Sequence, residues 1–270
     1  MPPGPACIRP ESGTGCIRVA PATQRVDLIV PVFSNPRRID NPLEPAAVTT
    51  QVLYGGTVAG KPFRTEVTRL PGTKLIHWQG QTIPALISQY MAFSDGRIAE
   101  VALDWFAQAD DGAVWYLGED VREYEDGKVA TTEGSWEAGK AGPPAMIMPA
   151  APKAGMAYRS ENAPGIVFEE DRVLATGRTV MGASGAVTGA IEVSELHADG
   201  AHENKIYAPG YGEFYTATNG ELEAASLAIP TDFRPGGVPA PLATLSHAVR
   251  SVYDALAANR WSDAAAAYRS

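Results

Sequence analysis

Between residues 48 and 135, apolar and polar positions alternate in short runs separated by Gly, Pro-Gly and Asp-Gly pairs, the pattern of an antiparallel strand meander. The stretch Ser88 to Gly127, SQYMAFSDGRIAEVALDWFAQADDGAVWYLGEDVREYEDG, shows it best. Asp95-Gly96, Asp111-Gly112 and Asp126-Gly127 divide it into arms, and Asp-Gly between alternating runs is a strong hairpin signal. Period-two alternation puts Glu100, Ala102, Asp104, Phe106 and Gln108 on one face of the middle arm. Val101, Leu103, Trp105 and Ala107 fall on the other.

Gly55-Gly56 and Pro71-Gly72 read as further separators, and strand patterns return over residues 166–229 with turns at Asp199-Gly200 and Asn219-Gly220. Many short strands at regular spacing predict a mainly β fold, an antiparallel meander forming a barrel or lipocalin-like half-barrel over residues 46–229. Residues 1–45, rich in Pro and Gly, read as an extended arm. Residues 136–165 read as a long irregular crossing whose apolar part is Met146-Ile147-Met148, a cover for the open end of the core or a lid. Residues 230–242 form a Pro/Gly linker, and residues 243–270 turn helical, with Leu245, Val249, Val252 and Leu256 in one stripe.

The net charge of -9 argues against nucleic acid and against insertion at an anionic membrane surface, leaving small cationic or neutral molecules as the expected partners. No apolar run approaches the roughly twenty residues of a membrane helix. The opening MPPGPACIRP does not read as an export leader. The only cysteines, Cys7 and Cys16, lie close together in a Pro/Gly/Ser-rich segment. They read as a small disulfide loop in an oxidising compartment, with free thiols or half of a metal site as the alternatives.

FSNPRRIDNPL, FRTEVTRLP, SQYMAFSDGRIAEVALDWFAQADDGAVWYLGEDV, AMIMPAAP, ENAPGIVFEE and KIYAPGYGEF together resemble a family of secreted bacterial proteins of unassigned function, commonest in actinobacteria. The resemblance covers about residues 25–230. It implies β structure, a cysteine pair such as Cys7 and Cys16, and a location outside the cell or in its envelope. It implies no activity and no site residue.

The orientation of one strand decides the candidate chemistry. The Trp105 face is the one that burial energy favours at about 25 cal/mol per Å², because burying unpaired carboxylates costs several kcal/mol. On that reading Glu100 and Asp104 are solvated, and the two faces cannot both meet the core. On the other reading Glu100, Asp104, Asp120, Glu195, His197 and Glu213 point inward, with Arg64, Lys205 and His197 as counter-charges. Glu100, Asp104, His197 and Arg64 are then the catalytic candidates, since carboxyls in unlike environments divide acid and base roles. Trp105, Phe106, Trp115, Tyr116, Met146 and Met148 are the candidates to line an apolar ligand cavity. His197 and His202 with Glu195 and Glu203 have no recognised metal spacing, so no metal or other cofactor is expected. There is no Gly-x-Ser-x-Gly and no phosphate loop.

Three functions remain. The first is a non-catalytic exported protein holding a small apolar or cationic ligand in its interior. The second is an enzyme using Glu100 and Asp104 with His197 or Arg64 for cyclisation or hydrolysis. The third is an envelope protein with a structural or interaction role.

Overall fold

A computed structural model describes residues 7–8, 15–47, 50–163, 165–182, 185–218 and 221–226. All of them belong to one unit, Met1–Thr231. The expected linker, the helical tail and the Asn219-Gly220 turn lie outside the described residues.

The described chain is antiparallel β with no helix. β1 (Cys7–Ile8) and β2 (Ile17–Arg18) form a small ladder tied by the Cys7–Cys16 disulfide. A first meander runs through β3 (Gln51–Val58), β4 (Lys61–Trp78), β5 (Gln81–Ser94), β6 (Arg97–Gln108) and β7 (Val114–Glu125). The short strands β8 (Lys128–Thr131), β9 (Trp136–Glu137) and β10 (Ala145–Met148) all pair with β7. A second meander follows: β11 (Ala157–Ala163), β12 (Val167–Gly182), β13 (Gly185–His197), β14 (His202–Ala208), β15 (Gly212–Thr218) and β16 (Glu221–Ser226). β16 pairs with β3 and joins the two meanders into a 14-stranded sheet.

The local chemistry explains the hairpins. Ala59-Gly60, Gln79-Gly80, Asp95-Gly96 and Asp126-Gly127 all have positive φ at both residues, as two-residue turns require. Gly55-Gly56 is not a separator but lies inside β3. A Cβ on Gly56 would stand 2.1 Å from the Glu223 carbonyl oxygen, so the glycine admits β16 across the strand. Pro71-Gly72 likewise lies inside β4, at a break in register between Leu70 and Thr73. The expected lid, Met146 to Met148, is the edge strand β10.

The sheet does not close into a barrel. Among the described residues, β10 and β11 share no ladder, although they lie against each other. The N-terminal arm explains the opening, because it takes the hydrogen bonds of β11 at Ala157. Val26 donates to the Ala157 carbonyl at 2.9 Å, and Ala157 donates to the Gln24 carbonyl at 2.9 Å.

The arm also changes what the sheet can bury. Val26 and Phe33 pack on the cluster of Ile76, Trp78, Ile83, Trp105, Trp115 and Trp136. Further along, Ile39 and Leu43 enter a second cluster with Val114, Met148, Val193 and Tyr207. Both faces of β6 are therefore covered. Trp105 is 7% exposed and Asp104 is 9% exposed, so the expectation that only one of them could be buried is corrected.

A bulge fixes which residues of β7 join Asp104. Asp104 pairs with Glu119, yet Phe106 pairs with Tyr116, so β7 carries an extra residue at this point. Positions 116 and 119 would face opposite ways in a regular strand, and the bulge turns both toward Asp104. Strict alternation had selected Asp120, which instead pairs with Arg122. Gly118 makes the bulge possible, with φ 126° and a Cβ position only 2.3 Å from the Trp136 carbonyl oxygen. Gly118→Ala is therefore expected to cost about 2–4 kcal/mol, through strain and collision. Gly127→Ala, at a positive-φ turn with open space around it, is expected to cost about 1–2 kcal/mol. Urea denaturation of the two variants compares them, and equal losses would contradict this role for Gly118.

Candidate functional site

The inward face of β6 presents Glu100, Asp104 and Phe106. Tyr116 donates a hydrogen bond to Asp104 Oδ1 at 2.8 Å and stacks on Phe106 with 4.9 Å between ring centroids. Burial pushes Asp104 up to about 8, with the Glu119 charge as the next cause. Burial likewise raises Glu100 to about 7, assisted by Glu123, and Glu119 to about 7. Glu161 is pushed well up by burial, with the Glu169 and Glu119 charges as the next causes. Glu161 reaches this face through a second bulge. Tyr158 pairs with Asp171 and Glu161 with Glu169, so three steps on β11 match two on β12.

The second meander supplies the cations. Glu169 and Asp171 on β12 lie opposite His197 and Glu195 on β13, and Glu195 lies opposite Glu203 on β14. His197 Nδ1 is 3.2 Å from Glu169 Oε1, and its Nε2 is 3.4 Å from Glu195 Oε1 and 3.6 Å from Glu203 Oε2. Lys205 Nζ is 2.7 Å from Glu195 Oε1 and 4.0 Å from Glu213 Oε2. Burial works against a charged imidazole, but the carboxyls of Glu169 and Glu203 beside the ring, with Glu195, win and raise His197 to about 10. Burial also works against ionising Glu203, yet His197, Lys205 and the Thr218 hydroxyl hold it down at about 2. Asp171 is fully buried, and neither of its oxygens has a hydrogen-bond partner. Burial raises it to about 7 against the pull of Lys205. The Tyr158 hydroxyl, on the residue opposite, is also buried without a partner.

A cavity of about 200 Å³ lies beside these groups. Its walls come from both meanders and from the arm, and include Tyr54, Tyr90, Asp104, Phe106, Tyr207 and Glu213. Glu44 of the arm also lines it. Burial and the Glu213 charge raise Glu44 to about 7. The cavity and the His197 cluster meet at Glu213, which lines the one and approaches Lys205 of the other.

The remaining candidates divide. Trp105 packs on the outer face under Lys74, whose Nζ is 4.7 Å from the ring centroid, and does not line the cavity. Trp115 and Met146 are buried in the same outer cluster, and Met148 in the second cluster, while Ile147 between the two methionines reaches the cavity. Arg64 stands apart from the carboxyls, half-exposed, 3.3 Å from Glu66 and over the Phe93 ring. His202 is exposed, beside the Ser194 hydroxyl at 3.3 Å, and does not join His197. Sequence reasoning missed Glu44, Glu119, Glu161, Glu169 and Asp171. Alternation through the acidic run Glu169-Glu170-Asp171 was a usable signal. The bulges and the placement of the arm gave none.

No protein-family model matches the chain, and no curated protein or solved structure matches it either, so geometry alone carries the functional reading.

The buried acids dictate an unusual stability profile. The fold favours neutral Asp104, whereas the unfolded chain ionises it near 3.8, so rising pH between about 4 and 8 weakens the fold by up to about 1.4 kcal/mol per unit. Glu44, Glu100, Glu119 and Asp171 act in the same direction up to about 7. His197 adds a further loss between 6.5 and about 10, as its favourable charge disappears. Glu203 opposes them only below 4.5, where its bound charge is lost. Urea midpoints across pH 4–9 are expected to be highest at the acid end and to fall toward alkaline pH, with a shallower fall in Asp104→Asn. Stability that climbs from pH 5 to 8 would contradict this.

Proposed function

We propose that this protein is an exported binding protein that takes a small, largely apolar molecule bearing an ammonium group into its interior cavity. The observation that carries this reading is the lining. Tyr54, Tyr90, Phe106 and Tyr207 surround a space in which the acidic groups Glu44, Asp104 and Glu213 outnumber the single basic residue, Arg69. Aromatic faces attract cations, and a desolvated site strengthens the effect. The volume of about 200 Å³ lies below the roughly 300–1,000 Å³ of drug-sized sites, so the occupant has to be small. Burial keeps Asp104 largely neutral near pH 7, and Glu44 about half so. An arriving ammonium supplies a counter-charge, so uptake releases a proton. The open sheet then serves as a half-barrel container. Export is supported by the Cys7–Cys16 bridge, since disulfides persist in oxidising compartments.

A second reading has Asp104 as a general acid. The Tyr116–Asp104 hydrogen bond beside an apolar cavity favours it, because a carboxylic acid titrating near 8 is a competent proton donor at neutral pH.

Calorimetry with phenethylammonium and its neutral counterpart 2-phenylethanol, from pH 6 to 8, tests the binding reading. The ammonium is expected to bind more tightly, with affinity rising by up to about tenfold per pH unit and about one proton released. Asp104→Asn is expected to weaken it roughly tenfold to a hundredfold. Equal affinity for the alcohol, or no pH dependence, would count against the binding reading. A compound converted by the wild type and returned unchanged by Asp104→Asn would move the assignment to catalysis.

A further inference from the structure

We propose that Glu169, Glu195 and His197, with Glu203 beside them, bind one divalent transition-metal ion. Each of the first three offers a ligand atom within 4.8 Å of the others, the only such group of three or more among the described residues. Ligands held about 2.1 Å from an ion stand roughly 3–4 Å apart. From one ring nitrogen, His197 Nε2, the oxygens of Glu195 and Glu203 at 3.4 and 3.6 Å already fall in that range, and Glu169 offers a ligand atom within 4.8 Å. His197 Nε2 is buried, makes no hydrogen bond and faces two carboxylates.

An independent feature points the same way. Asp171 is fully buried on the same face, directly across the ladder from Glu195, with both oxygens unpartnered. Four carboxyl groups, those of Glu169, Asp171, Glu195 and Glu203, meet on this face beside Lys205. The site is open to solvent on one side, since the side chains of His197, Glu169 and Glu203 keep 26%, 25% and 17% exposure. An imidazole beside carboxylates selects Zn²⁺ or Mn²⁺ over Ca²⁺ or Mg²⁺, which prefer oxygen alone. This assignment is independent of the ammonium cavity, whose loss would leave it standing.

The test uses the full chain stripped with chelator and titrated with Zn²⁺ or Mn²⁺ alone. One ion per chain is expected, and Mn²⁺ is expected to broaden the ring signals of His197 before those of His77 and His202. His197→Gln is expected to weaken Zn²⁺ binding at least tenfold, and His202→Gln to leave it unchanged. Should His197→Gln fail to fold, the His197 broadening in the wild type decides alone. The proposal is overturned by absence of one-to-one uptake, by uptake that spares His197, by unchanged affinity in a folded His197→Gln, or by Ca²⁺ binding as tightly as Zn²⁺.

Discussion

A carboxylate moved out of water without a partner costs several kcal/mol, and the inner face of this sheet holds many more carboxyls than cations. The rest of the architecture follows from how that cost is reduced. Lys205 and His197 overcome burial at Glu169 and Glu203 and hold both below the ordinary carboxyl range, while burial still pushes Glu195 well up. Carboxyls beyond the reach of these two cations, above all Asp104, keep their protons at pH values where a surface carboxyl would have lost them. Charge is thus held at His197, Glu203 and Lys205, while Asp104, Glu100 and Glu119 on β6 and β7 titrate near neutral pH. Near neutral pH the interior can exchange protons and attract positive charge.

A charged inner face removes apolar area from the core, and the outer face makes up for it. The N-terminal arm lays Val26 and Phe33 over the cluster that contains Trp105 and Trp115. The arm also takes the edge hydrogen bonds of β11 at Ala157, which leaves the sheet open between β10 and β11. One segment therefore supplies the missing hydrophobic burial and prevents closure of the barrel. Through Glu44 it lines the cavity as well.

Much of this was legible in the alternation of residues. The Asp95-Gly96 and Asp126-Gly127 turns follow from local chemistry, and so does the shared face of Glu100, Asp104 and Phe106. His197, Glu195 and Lys205 likewise follow from period two once their strands are recognised. The sequence pattern failed where parity breaks. Gly118 and the β11 bulge turn Glu119 and Glu161 inward, and a bulge depends on a neighbouring strand that a local pattern does not encode. It failed again in treating Trp105 and Asp104 as rivals for one core, because covering both faces required the arm, a tertiary contact between distant residues. Arg64 was a reasonable counter-charge by type, but it faces outward because Thr65 and Val67 are the inward residues of β4.

The central claim is that Asp104 sits inside the protein in its neutral form near physiological pH. Its side-chain carboxyl ¹³C shift, followed by NMR from pH 3 to 10 and assigned by comparison with Asp104→Asn, measures this directly. The account predicts a titration midpoint near 8. A midpoint near the ordinary value of 3.8 would mean a solvated or counter-charged Asp104 and would contradict it.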